Sequence, residues 1–440
     1  MELQDLENFS EEELLRLLED PWTIKMMNLG QCFNGLQDFF WPLWKKLIGF
    51  SVLQLLVYHT CQFQYITERR AHIIVTALGV YLLLLQSNST VNFVIPLINW
   101  AVFYISDQFM LGRNDRGKVC ILISILSLIF WQVNLSAVAF SQIRGVIMIM
   151  CMKLISLTFD DLNPSMFENL AFVFNPSTVI FGPFIRLDQF RENFIRPNTT
   201  VKSLILVPIY SLIAFFFVFY STCLTDFIPT DPQILGDFAT AQSFRFSHFF
   251  VCYLSLTTAL LGGFSFNFQV AGALQVEWPR SMGQVVVHWN YPMHQFLHQY
   301  VFRRVLSSGY ALAMLASFAM SSILHGLNFQ LSAVLTSLAF YAYVESIFRR
   351  KLSNFLGVCA MDRKCPEKCP HTHKENSFQA LAINLIFTFL NIYHLIYLGM
   401  PFDGTLQETG YSFSHTISHW SRWNFSSHLI ASFMLFLGLL

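Results

Sequence analysis

Charged residues in this chain gather in short clusters, and between them run long apolar windows. In order these are 47–67, 71–86, 91–106, 119–143, 145–159, 169–185, 203–225 and 246–270, then 305–324, 328–344, 376–399 and 423–440. A helix needs about 20 apolar residues to cross the roughly 30 Å hydrocarbon core of a bilayer. Several windows are shorter and Lys153 interrupts one, so the pattern predicts about ten to twelve transmembrane or re-entrant helices. After Arg304 an uncharged run continues to Val344, long enough for two spans back to back. His325, its one imidazole, falls at the midpoint and precedes Gly326, where one helix can end and the next begin. An ionisable side chain there is a candidate functional group, although it can also do no more than cap a helix or bond a neighbouring carbonyl.

Composition turns these windows into membrane spans. Hydrophobic residues make up 54% of the 440 and charged residues 12%, against roughly 25% charged in a soluble domain. The fold class expected is an all-α polytopic membrane protein in contact with a lipid bilayer. A formal net charge of zero speaks against a nucleic-acid partner. The cysteines are scattered, mostly through apolar segments, and do not read as a secreted disulfide framework. The start of the chain is acidic where a signal peptide would be basic, and Ser10 with Glu13 has capping-box spacing. The chain therefore divides into an acidic amphipathic segment, 1–46, and one integral-membrane domain, 47–440, without internal repeats.

Basic residues orient the spans. Arg349, Arg350, Lys351, Arg363, Lys364, Lys368 and Lys374 crowd one loop, which the positive-inside rule places in the cytosol. His325, one span back, then lies toward the lumen, and Asn290 nearer the cytosolic side. The loop 186–202 also reads as cytosolic and 226–237 as lumenal. Arg113, Arg116, Lys118 and Arg144 bracket a single good span, so one element near 107–160 is expected not to cross.

Candidate chemistry centres on His325 and on His288-Trp289-Asn290-Tyr291-Pro292 upstream of it. Imidazole titrates near neutral pH and can take a hydroxyl proton. Asn290 offers a donor and an acceptor with no charge to desolvate, and before Tyr291-Pro292 it can equally be a helix cap. A Trp-Asn motif followed by an apolar helix that ends in histidine is similar to the membrane-bound O-acyltransferase (MBOAT) family. The stretches 277–300, 144–162, Phe181-Gly182-Pro183-Phe184-Ile185, Ser321-Ser322-Ile323-Leu324-His325-Gly326 and Tyr343-Val344-Glu345 resemble those members that lipidate Wnt proteins.

The resemblance implies a helical bundle around an acyl-donor tunnel, with a catalytic core at about 144–345. It implies His325 and Asn290 as catalytic residues, and Trp289, Tyr291, Arg280, Arg303 and Ser322 as contacts to substrate or acyl-CoA. Arg280 and Arg303 would meet phosphates of coenzyme A; plain positive-inside anchoring is the alternative. The implied donor is palmitoleoyl-CoA, a co-substrate, and the implied acceptor a serine of a Wnt protein at the endoplasmic reticulum membrane, with no cofactor required for the chemistry. Ser221-Thr222-Cys223 is similar to a family site that carries an S-acyl group. With a cytosolic donor and a lumenal His325, the tunnel would run between 246–272, 288–302 and 305–344, and a kink in it would favour a cis-unsaturated chain. The residues themselves leave open the same fold acting on a small lipid or sterol alcohol, or a non-enzymatic polytopic carrier. A carrier more often shows intramembrane carboxylates, arginines or inverted repeats.

Two clusters suggest metal. His288, His294 and His298 can share a helix face, but without a nearby cysteine or carboxylate an interfacial amphipathic helix is the stronger reading. In the basic loop 349–375, Cys359, Cys365, Cys369, His371 and His373 resemble a structural zinc site of non-standard spacing. S-acylated juxtamembrane cysteines and plain reduced thiols are the alternatives.

Overall fold

The computed structural model describes residues 21–86, 91–265, 268–366, 368–404 and 411–440. The acidic start of the chain, with its Ser10–Glu13 spacing, lies outside the described residues. The helices are α1 (Pro21–Gln62), α2 (Glu68–Gln86), α3 (Val91–Phe109), α4 (Arg116–Asn134), α5 (Ala137–Phe159), α6 (Met166–Val173), α7 (Leu187–Ile195), α8 (Val201–Phe219) and α9 (Gln233–Leu261). They continue as α10 (Ala273–Glu277), α11 (Met282–Trp289), α12 (Tyr291–Leu297), α13 (Tyr310–Leu324), α14 (Phe329–Leu356), α15 (Phe378–Gly399), α16 (Phe413–Arg422) and α17 (Ser426–Leu439). Among the described residues the one β interaction is an isolated bridge between Val358 and His373. Seven helices are long and apolar enough to cross a membrane, and α3, α13 and α17 contribute shorter apolar stretches. The protein is a multi-pass helical membrane protein.

Three windows fold differently from the hydropathy pattern. The first span is the end of a helix that already starts at Pro21, because Lys25, Asp38, Lys45 and Lys46 interrupt hydropathy without breaking a helix. The window 119–143 is split: Ser136 caps α5 by accepting from the Ala139 amide at 3.3 Å, so α4 ends at Asn134. The window 169–185 is no span at all. After α6 the chain runs irregularly through Asn175-Pro176 to a cis Gly182–Pro183 peptide.

That irregular segment is buried, so its polar groups need protein partners. Lys153 supplies three of them, its Nζ donating to Phe172 O (2.8 Å), Val173 O (3.2 Å) and Thr178 Oγ1 (2.9 Å). Gln54 accepts from the Ser177 amide, Thr258 donates to Ser177 O and Asn175 donates to the Tyr58 hydroxyl. On its other side α2 approaches so closely that a Cβ on Gly79 would lie 1.6 Å from Phe174 O. The charge that interrupts the hydropathy of α5 is therefore the anchor of the segment packed against it.

Where one element near 107–160 was expected not to cross, both α4 and α5 are long and apolar enough to do so. Arg116 binds Asp107 (2.6 and 2.7 Å), Asp161 (3.1 Å) and Leu162 O (2.9 Å), which fixes the start of α4 beside the end of α5. Arg144 lies within α5 rather than in a loop, and counting it as a loop charge caused the parity failure. The turns 110–115 and 186–200 and the segment after α14 carry the basic residues that mark one face. Cys32 and Cys223, at the opposite face, form a disulfide, which leaves Cys223 no sulfur to acylate.

Candidate active site

The Trp-Asn motif is built from two short helices joined end to end. Ser281 caps α11 by accepting from the Gln284 amide at 3.1 Å. Asn290 ends α11 in an extended conformation and caps α12, its Oδ1 accepting from the Met293 amide at 3.0 Å. Pro292, in the first turn of α12, has no amide to satisfy. The stretch around Gly272 pins the junction from both sides, since Gly272 N donates to His288 O and Tyr291 N donates to Val270 O, each at 2.8 Å. Oδ1 is committed to the cap, and no partner is found for Nδ2 among the described residues, so the amide nitrogen of half-buried Asn290 is left to donate.

His325 ends α13, and its amide donates to Ser321 O. From Tyr291 the chain stays helical through a π-turn (His298–Phe302) to Ser308, reverses at Gly309 (φ +120°) and returns as α13. Phe302 packs on Tyr310 beside the reversal. Asn290 begins one arm of this helical hairpin and His325 ends the other. At a rise of 1.5 Å per residue, the 15 residues of α13 cover about 22 Å, less than a bilayer core.

His248 of α9 touches the motif. Its Nε2 donates to Trp289 O at 2.9 Å, and its ring stacks on the Trp289 indole at 4.4 Å and 6°. His325 lies within electrostatic reach of His248 and of Arg144. His248 and His325 are both partly buried.

The other expected contact residues divide. Trp289 is at the site through His248, and Tyr291 packs its ring edge-on to His288. Ser322 is turned to Ser332 of α14 and joins the two helices. Arg280 is paired with Glu375 and donates to Met361 O (3.2 and 3.3 Å), so its charge is already matched within the protein. Arg303 is exposed at the basic face. His294 and His298 stack at 6.2 Å while His288 bonds Gln284 O, so the three imidazoles do not converge on one point.

In the basic loop four of the five expected ligands converge. Ligand atoms of Cys359, Cys365, Cys369 and His371 all lie within 4.8 Å of one another. His373 is outside the set: its backbone closes the loop through Cys359 N→His373 O (2.8 Å) and His373 N→Gly357 O (2.9 Å). The Cys369 thiol is pulled down to about 6, first by a hydrogen bond from Cys359 and then by His371 and Lys374.

Residues 116–362 match the sequence model of MBOAT, the membrane-bound O-acyltransferase family. The chain belongs to this family. It is 33% identical over 358 residues to protein-serine O-palmitoleoyltransferase porcupine of Homo sapiens, covering 72% of this chain and 77% of that one. The Mus musculus protein of the same name matches to the same extent. That of Caenorhabditis briggsae is 31% identical over 309 residues, 66% of this chain and 69% of its own.

Within the matched region three features were missed or misplaced by the sequence reading. His248 was passed over as part of an ordinary span, though an imidazole inside an apolar window is the signal that singled out His325. Arg144 was read as a loop charge. The third is a buried ion pair, Glu345 with Arg349 at 2.9 Å, which fixes the motif's start. Glu345 accepts from the Met282 amide (2.7 Å), and Arg349 donates to Arg280 O (2.6 Å) and Ala360 O (2.6 Å). Their i,i+4 spacing on α14 was visible in the sequence; their partners were not.

Proposed function

We propose that this acyltransferase moves a palmitoleoyl group from coenzyme A to a serine hydroxyl of Wnt proteins at the lumenal side of the endoplasmic reticulum. The reading is supported by one arrangement: His325 lies within electrostatic reach of His248, which bonds the Trp-Asn motif, in a chain similar to porcupine acyltransferases over most of its length. In this mechanism His325 removes the proton from the serine Oγ as that oxygen attacks the thioester carbonyl. The free amide nitrogen of Asn290 donates to the developing oxyanion. Collapse breaks the carbon–sulfur bond, and the proton held by His325 passes to the departing thiolate. Partial burial of both histidines limits the access of water, which would otherwise hydrolyse the thioester. The disulfide at the face opposite the basic loop supports a compartment that is oxidising, as the reticulum lumen is.

The test is co-expression with a Wnt protein and an alkyne-tagged palmitoleic acid, scoring label on the Wnt. Label is expected with the wild type and absent with His325→Ala. Label confined to extracted lipids would move the acceptor to a small lipid or sterol alcohol, and no His325-dependent label in either fraction would refute the assignment.

A further inference from the structure

We propose that Cys359, Cys365, Cys369 and His371 bind one zinc ion, which locks the basic loop against the start of the Trp-Asn motif. The loop from Gly357 to Ser377 is long, and the apolar cluster it forms with α15 amounts to Val358, Cys359, Ala360, Cys369 and Ala380. So small a core rarely holds a segment without a disulfide or a metal.

The donor geometry distinguishes these two. The Sγ atoms of Cys359 and Cys365 each lie 3.6 Å from His371 Nδ1. A tetrahedral ion with Zn–S of about 2.3 Å and Zn–N of about 2.05 Å separates such atoms by about 3.5 Å. Cys359 Sγ and Cys369 Sγ are 3.2 Å apart, far beyond the roughly 2.05 Å of a disulfide and closer to the roughly 3.7 Å of a zinc tetrahedron. His371 is oriented for ligation: Nδ1 faces the thiols, and Nε2 points to Asn354 Oδ1 at 3.5 Å, as an outer partner of a ligating histidine does. All three sulfurs bind as thiolates, and whatever thiol protons remain pass to solvent. The three thiolates, the neutral imidazole and Zn²⁺ then sum to one negative charge, faced by the Lys374 ammonium, which lies 3.5 Å from Cys369 Sγ.

The loop reaches the acyltransferase site through its carbonyls. Ala360 O and Met361 O accept from Arg349, Met361 O also from Arg280, and Glu375 pairs with Arg280. Arg280 precedes Ser281, the cap of α11, so the zinc would hold in register the helix that ends at Asn290. This last step rests on the proposed function; the metal site does not.

The experiment is zinc analysis of full-length protein purified in detergent with a tag that binds no metal. About one zinc per chain is expected, with Cys365→Ser/Cys369→Ser reduced to background. Should that variant fail to fold, mercurial titration of the wild type is expected to release the same one equivalent. Cobalt exchanged into the wild type is expected to show thiolate charge-transfer absorption. Protein that carries no zinc and gives no such absorption with cobalt overturns the proposal, as does peptide mapping that finds Cys359 and Cys369 joined in a disulfide. Zinc present while transfer is unaffected by its removal would break only the link to Asn290.

Discussion

His325 and Asn290 differ in what their loss should reveal. His325→Ala removes a base from the end of a helix without opening a core, so insertion and thermal stability should stay near wild type. Transfer should fall by roughly 10²–10⁴-fold, read as labelled product per molecule of enzyme. Full activity of that variant would end the general-base assignment. Asn290 both caps α12 and offers a free amide, and Asn290→Asp separates the roles because an aspartate still caps. Asn290→Asp should keep its stability but lose turnover, by about 2.7–4 kcal/mol of transition-state binding if the donor acts on the oxyanion. An Asp variant with unchanged turnover would reduce Asn290 to a cap. His325 stood out in the sequence as the one imidazole of a long uncharged run, and Asn290 through the Trp-Asn motif that resembles the family's. His248 and Arg144 did not, since hydropathy reports that a residue is in a helix and not which neighbour its face meets. Arg280 shows the converse error: a cation near a supposed phosphate site is matched by Glu375, ninety-odd residues away in the chain.

At the scale of elements, hydropathy located nearly every helix but misjudged those whose polar residues are satisfied inside the protein. The window after α6 has the apolar content of a span, yet Asn175-Pro176 and Gly182-Pro183 break it, and Lys153 from α5 fills three of the vacated hydrogen bonds. Lys153→Met is close in volume and removes all three donors. Each unsatisfied buried acceptor costs about 1–3 kcal/mol, so this variant should melt well below wild type in detergent and give a low yield of monodisperse protein. A melting temperature within a degree or two of wild type would show that the irregular segment holds itself. The amphipathic helix α16 escaped notice for a related reason: it lies just before the last apolar window, and its His415, His419 and Arg422 make it read as a loop.

For the molecule as a whole, the alternation of basic and opposite faces can be checked directly. Protease added to sealed vesicles should cut an epitope inserted at Asp362–Lys364 and spare one inserted at 228–231; the reverse pattern would overturn the orientation. The Cys32–Cys223 bridge spans 191 residues of sequence and ties α1 to the end of α8. Cys32→Ser and Cys223→Ser should each cost about 2–5 kcal/mol, and the double variant no more than either alone. Additive losses would show that the two sulfurs are not bonded. Finally, the shortness of α13 bears on where the enzyme can work. Leu312 and Leu315 expose its outer face, and about 22 Å of helix leaves that face mismatched with any ordinary bilayer. The mismatch is smallest in the reticulum, at about 27 Å, and grows at the plasma membrane, at about 32–33 Å. Reconstitution into bilayers of increasing lipid chain length should therefore lower activity steadily, and activity indifferent to thickness would show that the neighbours of α13 absorb the mismatch.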